Sequence, residues 1–262
     1  MRKDSTFGTI FVALAVCLVC AVFVSTAAVY LKPLQEENKA LDKKQNILAV
    51  ADLLQEGKSV EELFTKVEPR VVNLETGEFE PSIDPAEFDA REAAKDPDRN
   101  VEIPGDEDIA SIRSRAKYAT VYFVNEGEKA GLMIMPVHGY ALWSTLYGFI
   151  ALESDGQTVY GLSFYEHAET PGLGGEIDNP KWKSLWKGKK VFGEDGDVQL
   201  QVIKGNVGGD TPNAEHKVDG LAGATLTSVG VSNLLRYWLS DQGYGPFLDR
   251  VRSGEVQVVN NG

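Results

Sequence analysis

The segment Asp219-Gly220-Leu221-Ala222-Gly223-Ala224-Thr225 places a hydroxyl at the mouth of a helix. The small residues before it leave little side chain to keep a phosphate away from the backbone. From Val231 the apolar residues recur at Leu234, Leu235, Trp238 and Leu239, the spacing of an amphipathic helix. Thr225, Thr227 and Ser228 lie just upstream, where capping residues belong. Free N–H groups and the positive end of the helix dipole favour an anion at such a place. The residues alone leave two readings open, a phosphate site and an ordinary capped helix. A threonine hydroxyl is a weak nucleophile at neutral pH and needs a base. None stands beside Thr225 in sequence; Asp219 is the nearest carboxylate and the histidines are remote. Covalent chemistry at Thr225 would therefore need an outside catalyst.

The run D-G-L-A-G-A-T resembles the flavinylation motif D-x-x-[ST]-G-A-T, whose last threonine carries FMN through a phosphoester bond. Ala222 stands where Ser or Thr is usual, which removes a hydrogen-bonding hydroxyl and keeps the acceptor. A second run, Glu169-Thr170-Pro171-Gly172-Leu173-Gly174-Gly175, resembles the E-T-P-G-L-G loop of the same flavoproteins. With an apolar segment near the amino terminus, the chain is similar to the family of C subunits of the sodium-translocating NADH:quinone reductase, from that segment to about Phe247. The G subunit of the related ferredoxin:NAD oxidoreductase complex shares the motif. The long acidic part of this chain leans towards the quinone reductase. In a third reading the chain is a non-redox anchored scaffold or ligand-binding module whose Thr/Ser cluster only caps a helix.

The resemblance implies covalent FMN on Thr225, attached by a flavin transferase that takes it from FAD. Asp219, Gly223 and Ala224 would be read by that transferase, although Asp219 is equally suited to shaping the turn. Gly223, Ala224 and Thr227 would line the phosphate, which keeps a single negative charge once esterified. Lys204 is a candidate second contact to it, or else a surface lysine on a strand edge. The ring needs an apolar slot with a few polar groups. Glu169, Thr170, Leu173 and Gly174 would form one wall, with Leu173 stacking and Thr170 hydrogen-bonding. Leu142 and Trp143 would form the other, unless Trp143 is simply core. The implied function is an electron-transfer subunit, not catalytic alone, of a six-subunit membrane complex that oxidises NADH, reduces ubiquinone and exports Na+. The chain has no Gly-rich dinucleotide fingerprint after a strand, so it offers no NADH site by that signature.

These residues need a scaffold, and the pattern predicts an α+β one: an amino-terminal transmembrane helix, then an exported domain with an antiparallel sheet and flanking helices. Residues 1–31 form the anchor, 32–118 a helical stalk and acidic irregular region, and 119–262 the FMN-binding domain. Phe7–Leu31 lacks charge and is long enough to span a bilayer, and longer than the apolar core of a cleaved signal peptide. Leu34, Leu41 and Leu48 carry the helix on to about Gln55. A short helix is predicted over Val60–Lys66 and another over Ala86–Lys95. Thr120–Val124 with Gly131–Met135, and Tyr147–Glu153 with Thr158–Tyr165, read as hairpins. Trp182 and Trp186 share a helix face after Asn179-Pro180. Val198–Lys204 reads as a strand, residues 227–240 as the motif helix and Pro246–Val251 as a last turn or helix.

Formal charge is −13. Between Glu75 and Asp108 thirteen acidic residues face three basic ones, broken by Pro81, Pro85, Pro97 and Pro104. That stretch argues against nucleic acid and for a solvated surface or a docking face for a neighbouring subunit. Cys17 and Cys20 both lie in the apolar span, and His138, His167 and His216 lack metal-ligand spacing, so neither a disulfide nor a metal site is predicted. Arg2 and Lys3 precede the span while Lys32, Lys39, Lys43 and Lys44 follow it, so charge does not orient it. A short amino-terminal tail and the family resemblance imply a single-pass protein of the bacterial inner membrane with its soluble domain in the periplasm.

Overall fold

The computed structural model describes residues 6–125, 127–256 and 258. It divides into two compact units, Met1–Lys44 and Gln45–Gly262. Helix α1 (Thr6–Val50) is 45 residues long. Its apolar window has a mean hydropathy of 2.8 and buries no side chain within the protein. At about 1.5 Å per residue, Phe7–Leu31 exceeds the ~30 Å of a hydrocarbon core. This is one helix long and apolar enough to cross a membrane. It ends at Val50 rather than Gln55 because Asp52 turns left-handed at φ 51°. There the Leu53 N–H bonds the Leu48 carbonyl, closing the helix as a Schellman turn does.

The second unit begins with the last turn of α1 and α2 (Val60–Phe64), which Ser59 caps. Then follow β1 (Val67–Asn73), α3 (Ala90–Ala93), β2 (Asn100–Glu102), β3 (Ser114–Ala116) and β4 (Tyr118–Val124). The antiparallel strands β5 (Met133–Tyr140), β6 (Thr145–Leu152) and β7 (Val159–Glu166) complete a sheet of order β1-β4-β5-β6-β7. Both predicted hairpins are present, as the β4–β5 and β6–β7 pairs. Beyond the sheet lie α4 (Pro180–Ser184), β8 (Gln201–Val202), β9 (Lys217–Val218), α5 (Thr225–Leu239) and α6 (Gly245–Arg252).

Both faces of the sheet are covered. Phe123, Met133, Met135, Leu146 and Ile150 meet α5 and α6 on one side. Tyr122, Ile134 and Phe149 meet Ile47, Leu48 and Leu63 on the other. This is why β4 and β6 read as nearly unbroken apolar runs instead of alternating ones.

Three expectations need correction. Residues 67–73, placed before the sheet, form its edge strand. Pro69 disguised it, and an edge is where a sheet tolerates proline. Residues 45–118 therefore belong to the same compact unit as the strands that follow. The acidic stretch is also anchored: Asp89 caps α3, whose Arg91 donates to Glu166 at 2.9 Å and stacks 3.5 Å from the Tyr147 ring centroid. The strand expected over Val198–Lys204 shrinks to β8, which pairs in parallel with the equally short β9.

Candidate functional site

Helix α5 begins at Thr225, two residues earlier than its apolar pattern suggests. Ala224 occupies the cap position and supplies no side-chain oxygen, so no side chain caps the helix. The first amides are those that a helix leaves without internal partners. Thr225 is exposed, with its hydroxyl beside them. Gly223 makes the entry possible: its φ is +72°, where other residues are strained. A Cβ on Gly223 would also lie 3.0 Å from Leu173 Cδ2.

The turn before α5 is held from below. Ser228 Oγ accepts from the Leu221 N–H and donates to the Ala224 carbonyl, each at 3.1 Å. Asp219 Oδ1 accepts from the Val207 N–H at 2.8 Å, and its carbonyl accepts from Trp182 Nε1 at 2.9 Å. Asp219 thus joins the motif to the 203–208 segment and shapes the turn. Lys204 is exposed on a bend of that segment, and Gly205 accepts the Gly220 N–H at 2.7 Å.

Two segments converge on the start of α5. The tip of the β5–β6 hairpin brings Leu142 and Trp143, whose amides donate to Glu169 Oε1 at 3.2 and 2.9 Å. The 169–175 loop brings Leu173 and an exposed Thr170, whose carbonyl accepts from Leu173 and Gly175. From within α5, Thr227 Oγ1 donates to Glu169 Oε2 at 2.6 Å. Gly174 covers that last bond so closely that a Cβ would sit 2.5 Å from both oxygens. Glu169 and Thr227, expected on the cofactor, are buried, and their side-chain oxygens bond to protein groups.

The segments that meet here bear an apolar rim open to solvent: Trp143 is 62% exposed, Leu226 60%, Leu173 45% and Leu142 37%, and Val229 and Tyr140 are exposed as well. Trp143, which the sequence left between ring wall and core, is not core. Leu226, Val229 and Tyr140 went unremarked because they fall off the buried stripe of α5 or at the end of a strand. Apolar side chains left outside beside apolar neighbours were the available signal.

Residues 141–240 match the model of a family described as an FMN-binding domain. The C subunit of the Na+-translocating NADH-quinone reductase of Pseudomonas aeruginosa is 52% identical over 259 residues, 97% of this chain and 99% of that protein. That of Vibrio alginolyticus is 46% identical over 256 residues, 97% and 98% of the two chains. The chain belongs to the family of C subunits of this reductase. A crystal structure of Shewanella oneidensis NqrC matches the fold with a TM-score of 0.74 at 34% identity, over 81% of this chain and 97% of that one. The Parabacteroides distasonis C subunit matches with 0.65 at 31% identity, over 83% and 96%. As a C subunit with an FMN-binding domain and a membrane-crossing helix, the chain is part of a multi-subunit membrane reductase. The geometry fits FMN: an uncapped helix start suits its phosphate and an apolar rim suits a flat ring.

Proposed function

We propose that Thr225 carries FMN through a phosphoester bond, and that the chain relays electrons in a complex coupling NADH oxidation and ubiquinone reduction to Na+ export. The observation that carries this is the exposed Thr225, first residue of an uncapped helix whose start meets two segments bearing exposed apolar side chains. A flavin transferase performs the attachment. Thr225 Oγ forms a bond to the phosphorus on the riboflavin side of FAD, the pyrophosphate P–O bond breaks, AMP leaves, and the hydroxyl proton passes to the transferase. Ala222 and Gly223, both exposed, present the motif to that enzyme, with Asp219 and Ala224 fixing its shape.

The amides at the start of α5 hold the phosphate, with Lys204 as a second contact. Leu142, Trp143 and Leu173 flank the ring, and Thr170 and Gly174 edge it. Bound there, FMN supplies reversible electron uptake. The soluble unit lies in the periplasm, against other subunits of the inner-membrane complex. Expressing the protein with and without a flavin transferase tests the proposal. Yellow fluorescence that survives denaturing electrophoresis, needs the transferase and disappears in Thr225→Val supports it. A colourless protein with the transferase present contradicts it.

A further inference from the structure

Glu169 lies behind the exposed rim, 4% exposed, yet touches every segment that builds it. Oε1 holds the hairpin tip through the Leu142 and Trp143 amides, and Oε2 holds α5 through the Thr227 hydroxyl. Its own backbone opens the loop that carries Leu173. The three walls otherwise belong to distant parts of the chain: Thr227 lies 58 residues from Glu169, and Leu142 27 residues away. A carboxylate that accepts hydrogen bonds from two segments fixes their separation, because each lost bond would leave a buried polar group unsatisfied. Gly174 closes over the Glu169–Thr227 pair and excludes any larger residue from above it. A second strut acts alongside the first. Ser144 Oγ accepts from the Ala168 N–H at 2.8 Å, tying the same hairpin to the residue before Glu169.

We infer that Glu169 is a positioning residue for the flavin, setting the spacing of the Leu142–Trp143 tip, the Leu173 loop and the Thr225 helix start without touching the cofactor. The inference rests on covalent FMN at Thr225. It divides attachment from ring placement. Thr225 projects into solvent two residues before Thr227, so a transferase can reach it whether or not the walls behind it are in register. Loading therefore survives loss of the clamp, while the surroundings of the ring do not.

Glutamine separates geometry from charge. Its Oε1 can accept the two amides as before, and its Nε2 can donate to Thr227 Oγ1, since a hydroxyl accepts as well as donates. Glu169→Gln thus keeps the spacing and removes the charge. Thr227→Val removes one of the three bonds. Glu169→Ala removes all of them.

The test loads the full-length protein and these variants with FMN through the transferase, confirms stoichiometry by intact mass, and records flavin visible circular dichroism and iodide quenching of flavin fluorescence. Glu169→Ala should be fully loaded, lose most of the induced dichroism and become more quenchable. Glu169→Gln should retain most of the wild-type signal, and Thr227→Val should fall between. A wild-type spectrum in Thr227→Val and in folded Glu169→Ala overturns the inference, as does a glutamine variant disturbed as much as alanine. Should Glu169→Ala not fold, Thr227→Val decides alone. An unloaded wild-type protein would instead overturn covalent attachment, so the two failures are distinguishable.

Discussion

The outward face at the start of α5 and the remainder of that helix treat water in opposite ways. Thr225, Leu226 and Val229 are exposed, whereas Val231, Leu234, Leu235 and Leu239 are completely buried or nearly so. The buried end is locked to the sheet: Trp238 Nε1 donates to the His138 carbonyl at 2.7 Å. The open end is held only from behind, through Thr227 and Ser228. A helix anchored at one end presents its other end at a fixed place without covering it. This suits the proposed site, which another enzyme modifies and a ring then packs against. The difference teaches that the exposed Leu226 lies off the packed stripe of the helix, on the face the proposed site uses.

Substitutions along α5 should reproduce this division. Leu234→Ala, in the fully buried half, should destabilise the soluble unit by about 4 kcal/mol, the usual cost of such a cavity; a chemical-denaturation midpoint close to wild type would break the comparison. The buried end should also be acid-sensitive. The His138 ring stacks on Tyr147 with centroids 5.4 Å apart and meets Trp238 at 4.9 Å. Burial, reinforced by the nearby Arg91 charge, lowers its pKa from 6.5 to about 4. The unfolded chain therefore binds the proton first, so this contribution is complete above pH 6.5 and is lost as pH falls towards 4. Its size is on the order of 3 kcal/mol. His138→Phe should flatten the stability profile across that window, and an unchanged slope between wild type and variant would contradict the assignment.

At the junction of the two halves, Gly174→Ala must push Glu169 and Thr227 apart and should cost about 2 kcal/mol. A thermal melt matching wild type would show that the clamp is looser than its distances imply. At the open end, Leu226→Ser should change stability by no more than about 0.5 kcal/mol. A larger loss would place that residue in the core after all.

How much of this was legible in the sequence follows from what each feature depends on. The motif, its helix and both hairpins are local, written in spacings of a few residues, and they appear in the structure. Pro69 hid the edge strand because strand membership there is decided by a partner 53 residues on, Tyr122, not by local pattern. The same holds at the site. Thr225 could be singled out from its neighbours. The roles of Thr227 and Glu169 could not, because a threonine after a capping position looks alike whether it faces a ligand or a buried carboxylate. The openness of Trp143 and Leu226 is likewise a property of packing. The acidic stretch looked irregular because its folded elements, α3 and β2, are four and three residues long, and Arg91 finds its partners on distant strands.

Mass spectrometry of native protein tests the central claim most directly. The tryptic peptide Val218–Arg236 contains the exposed hydroxyl of Thr225 together with the buried ones of Thr227 and Ser228. It should be heavier than its amino acids by FMN less one water, with fragmentation placing the added mass on residue 225. A peptide from flavin-replete source cells that weighs only its amino acids, or one carrying the mass on residue 227 or 228, would contradict the account.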